Sequence, residues 1–253
     1  MHINKPKLSI VIATYNAESC INNAINSVLS QSYKEWECII VDGKSVDNTI
    51  SIVTDFVEKD SRIKYISEPD TGIYDAFNKG WKIAQGEWIY YLGADDVLLQ
   101  NGFEHIFQQS QIQMLDICYA NVVYRTPLGL NYVKSEKNPD NIRKRLNCSH
   151  QGFMMRRDII GKEGGFDNLN YRISADYDLI LRSYLNGARM HYIDIDLSIF
   201  DVSGVSSSIN MAMECFRIRK RNKSINIFNN YILLFKEIIL FYLRKTKYLI
   251  MGI

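Results

Sequence analysis

The first hundred residues carry four short apolar runs: LSIVIA (Leu8 to Ala13), WECIIV (Trp36 to Val41), RIKYIS (Arg62 to Ser67) and EWIYYLG (Glu87 to Gly93). The continuous apolar, β-branched run LSIVIA suits a strand covered on both faces, and the other three read as strands beside it. Between them, apolar residues recur at helical spacing. Ile21, Ala24, Ile25, Val28 and Leu29 mark one helix, Ile50, Val53, Phe56 and Val57 a second, and residues 75–84 a third. Ser45, Asp47 and Asn48 stand where caps of the second helix are expected. Alternation of this kind predicts an α/β fold, a mostly parallel Rossmann-like central sheet with flanking helices, whose ligands sit beyond the carboxyl ends of the strands. Three polar clusters fall at that edge: Thr14 to Asn16, Asp42 to Asp47, and Asp95 with Asp96.

After Phe103 the pattern loosens, with strands expected at LDICYANVVY and MHYIDI and a helix over about 176–186. No repeat or low-complexity linker separates the halves, so 253 residues read as one large domain with a small appendage. A net charge of +2 exerts no global pull toward nucleic acid. Five scattered cysteines without a CxxC pair fit neither a disulfide framework nor a zinc site, and suit a reducing cytoplasm. The opening MHINKPK lacks the long apolar stretch of a secretory signal.

The fourth run ends in two adjacent aspartates. Carboxylates held together at a buried strand end repel each other and lose solvation unless a cation or sugar hydroxyls share them. The tail differs in character: YILLFKEIILFYL (Tyr231 to Leu243) is apolar nearly all round, with Arg217, Arg219, Lys220, Arg221 and Lys223 before it and Arg244, Lys245 and Lys247 after it. That run falls short of the roughly 20 residues that span a bilayer. It suits an interfacial helix beside anionic lipid, the alternative being a helix packed on the domain or on a second copy. The expected division is a domain over 1–209 and a basic, apolar helical extension over 210–253.

SIVIATYN, IIVDGKSVDNT, EPDTGIYDAFNKGWKIAQGEW, YYLGADD, HQGFMMRRD and RISADYDLILR, in that order, resemble the GT-A glycosyltransferases of family 2 over about residues 7–205. The likeness is strongest to the bacterial branch that builds colanic acid, O-antigen and similar surface polysaccharides. It implies the GT-A fold. It places Thr14, Tyr15 and Asn16 around a uracil and ribose, with Asp42 accepting from the base. A carboxylate suits the imide NH of uracil, so a UDP-sugar is the expected donor. The resemblance gives Asp96 the divalent ion, Mn2+ or Mg2+, and Asp95 the donor's ribose or sugar. The bland reading of the pair is a helix beginning at Val97.

The same likeness makes Asp176 the base that takes the acceptor's proton, work that contributes roughly 10² to 10⁴ in rate. Asp178 is left to orient loops or cap the helix. A base opposite the leaving phosphate implies inversion at the sugar. Asp75, with Asn78 and Lys79, is set against the donor sugar, although Lys79 and Tyr74 fit ordinary helix positions equally. His150 and Gln151 are set near the acceptor and diphosphate. Many relatives carry a late metal-ligating His; DVSGVSSSI has Ser206 in its place, and the nearest His is His191.

These implications together describe an inverting, metal-dependent hexosyltransferase acting on a polyprenyl-diphosphate-linked glycan at the inner face of the plasma membrane, with no nucleic-acid partner. Two rivals stand beside it. One is aspartate-based phosphate chemistry on a doubly wound sheet, which wants an acid at the first strand's end where this chain has TYN. The other is a catalytically silent scaffold or glycan-binding member of the same fold.

Overall fold

The computed structural model describes residues 5–126, 129–201 and 208–251. Its centre is a nine-stranded sheet in the order β3-β2-β1-β4-β8-β6-β9-β5, with β7 paired to β6. The parallel half consists of β1 (Leu8–Thr14), β2 (Trp36–Asp42), β3 (Ile63–Ser67) and β4 (Trp88–Gly93). Every residue of β1, β2 and β4 is buried, as their unbroken apolar runs require.

Successive side chains of these strands serve opposite faces. Ile10 and Ile12 pack with Ile21, Ala24, Ile25 and Val28 of α1 (Ile21–Leu29). Val11 and Ala13 pack with Tyr74 and Phe77 of α3 (Ile73–Ile83) and with Tyr177 and Leu179 of α6 (Ala175–Leu185). The second face admits α3 closely because residue 80 is glycine: a Cβ there would stand 2.3 Å from Val11 Cγ1. Between α1 and α3, α2 (Thr49–Lys59) starts where Asp47 Oδ1 accepts from the Thr49 amide at 3.0 Å.

The second half of the sheet is mixed. Strand β8 (Phe153–Arg156) runs antiparallel to β4 and to β6 (Ile117–Thr126), and β9 (Met190–Asp201) runs parallel to β6. The short β7 (Gly129–Val133) and β5 (Val97–Leu98) pair antiparallel to β6 and β9. Val97 therefore enters a strand, which removes the reading of Asp95 and Asp96 as a helix start. The next helix, α4 (Gly102–Phe107), begins well beyond them, and α5 (Arg157–Lys162) follows β8.

Two helices close the chain, α7 (Ile209–Arg221) and α8 (Ile227–Met251). The expected run Tyr231 to Leu243 is the middle of α8. Helix α7 packs on α6: Asn222 Nδ2 donates to Asp178 Oδ1 at 3.1 Å, and Arg221 pairs with Asp167. Arg219, fully buried, joins α7 to α8 by donating to Glu237 Oε1 at 2.9 Å and to Asn230 Oδ1 at 2.7 Å. Among the described residues, no helix is long and apolar enough to cross a membrane.

Candidate active site

Strand register aligns the polar clusters. Thr14 pairs with Asp42, Asp42 with Ser67, and Ala13 with Gly93, so β1, β2, β3 and β4 end together on one edge. Because β8 runs against β4, its beginning meets the end of β4. The 3-10 turn His150–Gly152 that leads into β8 is thereby delivered to the acids after Gly93.

At the first strand end, Asn16 adopts a left-handed φ of 47° that turns the chain over the edge. Its amide donates to Ser45 Oγ at 2.8 Å, and its Oδ1 accepts from the Val46 amide at 2.9 Å. Tyr15 stands exposed, and Thr14 Oγ1 is buried without a hydrogen-bond partner. Asp42 lies fully enclosed beneath this loop. Its carboxylate accepts from the Ser45 amide at 3.0 Å, from Ser67 Oγ at 2.6 Å and from the Ser45 hydroxyl. Ser45 thus holds Asp42 and Asn16 together rather than capping α2.

Asp95 and Asp96 fold back around Gly93. A Cβ at that position would sit 2.5 Å from Asp96 Oδ2 and 2.9 Å from Asp95 Oδ1. Asp95 is exposed, whereas Asp96 is only 1% accessible. Asp96 Oδ2 accepts from Gln151 Nε2 at 2.7 Å and from the Gly93 amide at 3.2 Å, and its Oδ1 accepts from the Asp201 amide at 3.2 Å. Burial, followed by the neighbouring Asp95 charge, pushes its carboxyl up to about 7.

Asp176 sits in the first turn of α6. Its Oδ1 accepts from Tyr74 Oη at 3.0 Å and from the Tyr177 amide at 2.8 Å, and its Oδ2 lies 4.0 Å from His150 Nδ1. Burial pushes this carboxyl up to about 6 against those hydrogen bonds, and Glu214 adds to the rise. Burial pushes His150 down to about 4, so the imidazole is neutral. His150 Nε2, Gln151 Oε1 and Tyr91 Oη are buried without hydrogen-bond partners.

The two consecutive residues His150 and Gln151 therefore stand beside the two acids, Gln151 hydrogen-bonded to Asp96 and neutral His150 at 4.0 Å from Asp176. Tyr74, open in the sequence, is a direct partner of Asp176. Asp75 and Lys79 stand apart from these contacts: Asp75 Oδ2 accepts from the Thr71 amide at 3.0 Å, and Lys79 Nζ donates to Pro69 O at 2.6 Å and pairs with Glu68 at 3.1 Å. Asp178 is buried against Arg182 at 2.7 Å and accepts from Asn222, partners different from those of Asp176. His191 stands at the start of β9, whose far end brings Asp201 to Asp96, so the strand's length separates it from the acids. Ser206 lies outside the described residues. Glu214, silent in the sequence reading, contacts the loop before α6; its only signal was a carboxylate on the buried stripe of α7.

The model of glycosyl transferase family 2 matches residues 9–177, from the first strand to the start of α6. The chain belongs to that family. A PGL/p-HBAD biosynthesis glycosyltransferase of Mycobacterium bovis is 29% identical over 217 residues, covering 81% of this chain and 80% of the relative. Among solved structures, residues 1–349 of Staphylococcus aureus TarS in complex with UDP-GlcNAc superpose with a TM-score of 0.70 at 18% identity, covering 92% of this chain and 71% of that one. Against the longer structure of TarS the chain spans 43% of the length. The mannosyltransferase PcManGT of Pyrobaculum calidifontis, in complex with GDP-Man and Mn2+, gives a TM-score of 0.68 at 16% identity, with 92% and 70% covered. The fold is GT-A, and the chain is a glycosyltransferase.

Proposed function

We propose that this glycosyltransferase is an inverting, divalent-metal-dependent hexosyltransferase that takes its sugar from a UDP-sugar and places it on a polyprenyl-diphosphate-linked glycan. The observation that carries the reading is the His150–Gln151 turn, whose Gln151 hydrogen-bonds Asp96 and whose neutral His150 lies 4.0 Å from Asp176, so that the two acids flank one short turn. A carboxylate poised near 6 is ionised at neutral pH yet basic enough to share a proton in the transition state.

The donor set suits a hard cation. Two carboxylates crowd one glycine, and burial followed by the Asp95 charge raises Asp96. Among the described residues no cluster of three or more His, Cys, Asp or Glu has metal-holding geometry. This fits an ion that keeps one or two protein carboxylates and completes its shell with phosphate oxygens and water, as Mg2+ and Mn2+ do. Asp96, with Asp95, would hold it, and when bound it supplies positive charge for the departing diphosphate.

The chain's own residues then divide the work. Thr14, Tyr15 and Asn16 receive the nucleoside, and Asp42 meets the base where Ser45 now hydrogen-bonds. Asp75 and Lys79 border the donor sugar. Asp176 takes the proton from the acceptor hydroxyl as the acceptor oxygen bonds the anomeric carbon and the bond to the phosphate oxygen breaks, with the electron pair leaving on UDP. The Tyr74 hydroxyl and the Tyr177 amide, which donate to Asp176, fix its orientation. Attack opposite the leaving group inverts the anomeric centre.

The exposed side of α8 supplies the approach to a lipid-linked acceptor. Phe228 and Phe235 are 72% and 64% accessible and share a face with Ile232 and Ile239, while Asn230 and Leu234 turn inward. Docking of that face on the inner leaflet would recruit Lys220 and Lys223 before the helix, since Arg219 is buried against Glu237 and Arg221 is paired with Asp167.

The test is UDP release from a panel of UDP-sugars with Mn2+ or Mg2+ and a polyprenyl-diphosphate glycan acceptor. Metal-dependent turnover with at least one donor, lost in Asp176→Asn with the fold intact, is the expected result. A parent protein inactive with every donor yet still binding glycan would favour the scaffold reading.

A further inference from the structure

The family match stops at residue 177, yet the loop that presents Asp176 is held from beyond that limit. Glu214, buried in the middle of α7, accepts three successive backbone amides: Arg172 N at 3.1 Å on Oε1, and Ile173 N at 3.0 Å and Ser174 N at 2.9 Å on Oε2. Ser174 is the N-cap of α6 and makes no side-chain cap hydrogen bond of its own. From the opposite side, Tyr74 Oη donates to Ile173 O at 2.7 Å and to Asp176 Oδ1 at 3.0 Å. A buried carboxylate unmatched by a cation is costly, and here three amide donors compensate it. The position of α7 is itself fixed by buried Arg219, which donates to Lys144 O at 2.8 Å besides its contacts to α8.

We propose that Glu214 is a positioning residue for the transfer reaction: it clamps residues 172–174 and so holds Asp176 at the angle from which it meets the acceptor. This rests on the reading of Asp176 as the proton acceptor. It makes α7 part of the catalytic apparatus, although the sequence pattern sets that helix in a separate extension. Glu214 also acts on Asp176 through its charge. The titratable groups around Asp176 are Tyr74 from α3, His150 and Cys148 from the segment before β8, and Glu214 and Cys215 from α7. After burial, which comes first, Glu214 is the one of these whose charge raises the carboxyl.

The experiment uses the full chain and Glu214→Gln, in which one oxygen becomes an NH2 donor facing amide donors. Three readouts are taken: hydrogen exchange of amides 172–174, UDP affinity by calorimetry with Mn2+, and steady-state turnover of whichever of UDP-glucose, UDP-GlcNAc or GDP-mannose is cleaved fastest. Expected are faster exchange confined to 172–174 and UDP affinity within about twofold of wild type. The expected kcat falls by roughly 10- to 100-fold with the donor KM little changed, the loss that a misplacement of about 1 Å produces. The acidic limb of the pH profile moves to lower pH because a neighbouring negative charge is gone, which a merely structural defect would not do. Should Glu214→Gln not fold, Glu214→Asp is read for exchange and kcat in the same way.

Wild-type exchange at 172–174, or wild-type kcat despite faster exchange, overturns the proposal. Asp176→Asn, run in parallel, separates the two levels. Full turnover in that variant refutes the base assignment and the catalytic half of the proposal with it, while the exchange data judge the clamp alone.

Discussion

Asp176 carries its charge at a cost, since burial lifts its carboxyl to about 6 while the Tyr177 amide and Tyr74 hydroxyl partly offset that rise. A base works only when ionised, so with Mn2+ saturating, kcat/KM should fall about tenfold per pH unit below about 6 and level off above it. Neutral His150, pushed down to about 4, adds no second limb in that range. A profile flat from pH 4.5 to 8 would exclude Asp176 as the base. At this scale the sequence was informative where partners are neighbours. Asp95 and Asp96 adjoin each other, and their repulsion at a strand end is visible without coordinates. The bond from Gln151 to Asp96 spans 55 positions and depends on the antiparallel register of β8, while the clamp of Glu214 on Ser174 spans 40, so neither partner pair is written locally.

Among elements, β1, β2 and β4 were legible because burial on both faces demands unbroken apolar runs. Strands β5 and β8, of 2 and 4 residues, are too short to carry a period, and they bend the mostly parallel expectation into a sheet whose second half is mixed. Helix α7 was expected only as part of a helical extension over 210–253, and its packing on the domain was hidden because its buried stripe includes Glu214 and Arg219, which read as solvent-facing charges. The contact of α3 with the sheet yields a prediction in which two effects compete. Ala in a helix interior gains up to about 1 kcal/mol over Gly. At position 80 the new methyl would collide with Val11 Cγ1 at 2.3 Å, an overpacking that costs about 1–3 kcal/mol. Gly80→Ala should therefore lower the urea midpoint without changing the slope. A raised midpoint would show that α3 can slide outward freely.

For the whole molecule, the two sides of α8 differ. Its inward side is spent on α7, and its outward side presents Phe228, Ile232, Phe235 and Ile239. Full-length protein should co-sediment with vesicles containing phosphatidylglycerol, and Phe228→Asp with Phe235→Asp should release most of it while UDP turnover on a soluble acceptor persists. Undiminished binding by the double variant, or its conversion from dimer to monomer in light scattering, would assign the face elsewhere. The division of labour across the His150–Gln151 turn is the centre of the account, and calorimetric titration of UDP tests it most directly. In Mn2+ the wild type and Asp176→Asn should bind alike, while EDTA or Asp96→Asn should weaken binding roughly tenfold or more. Equal UDP affinity in all four cases would contradict it.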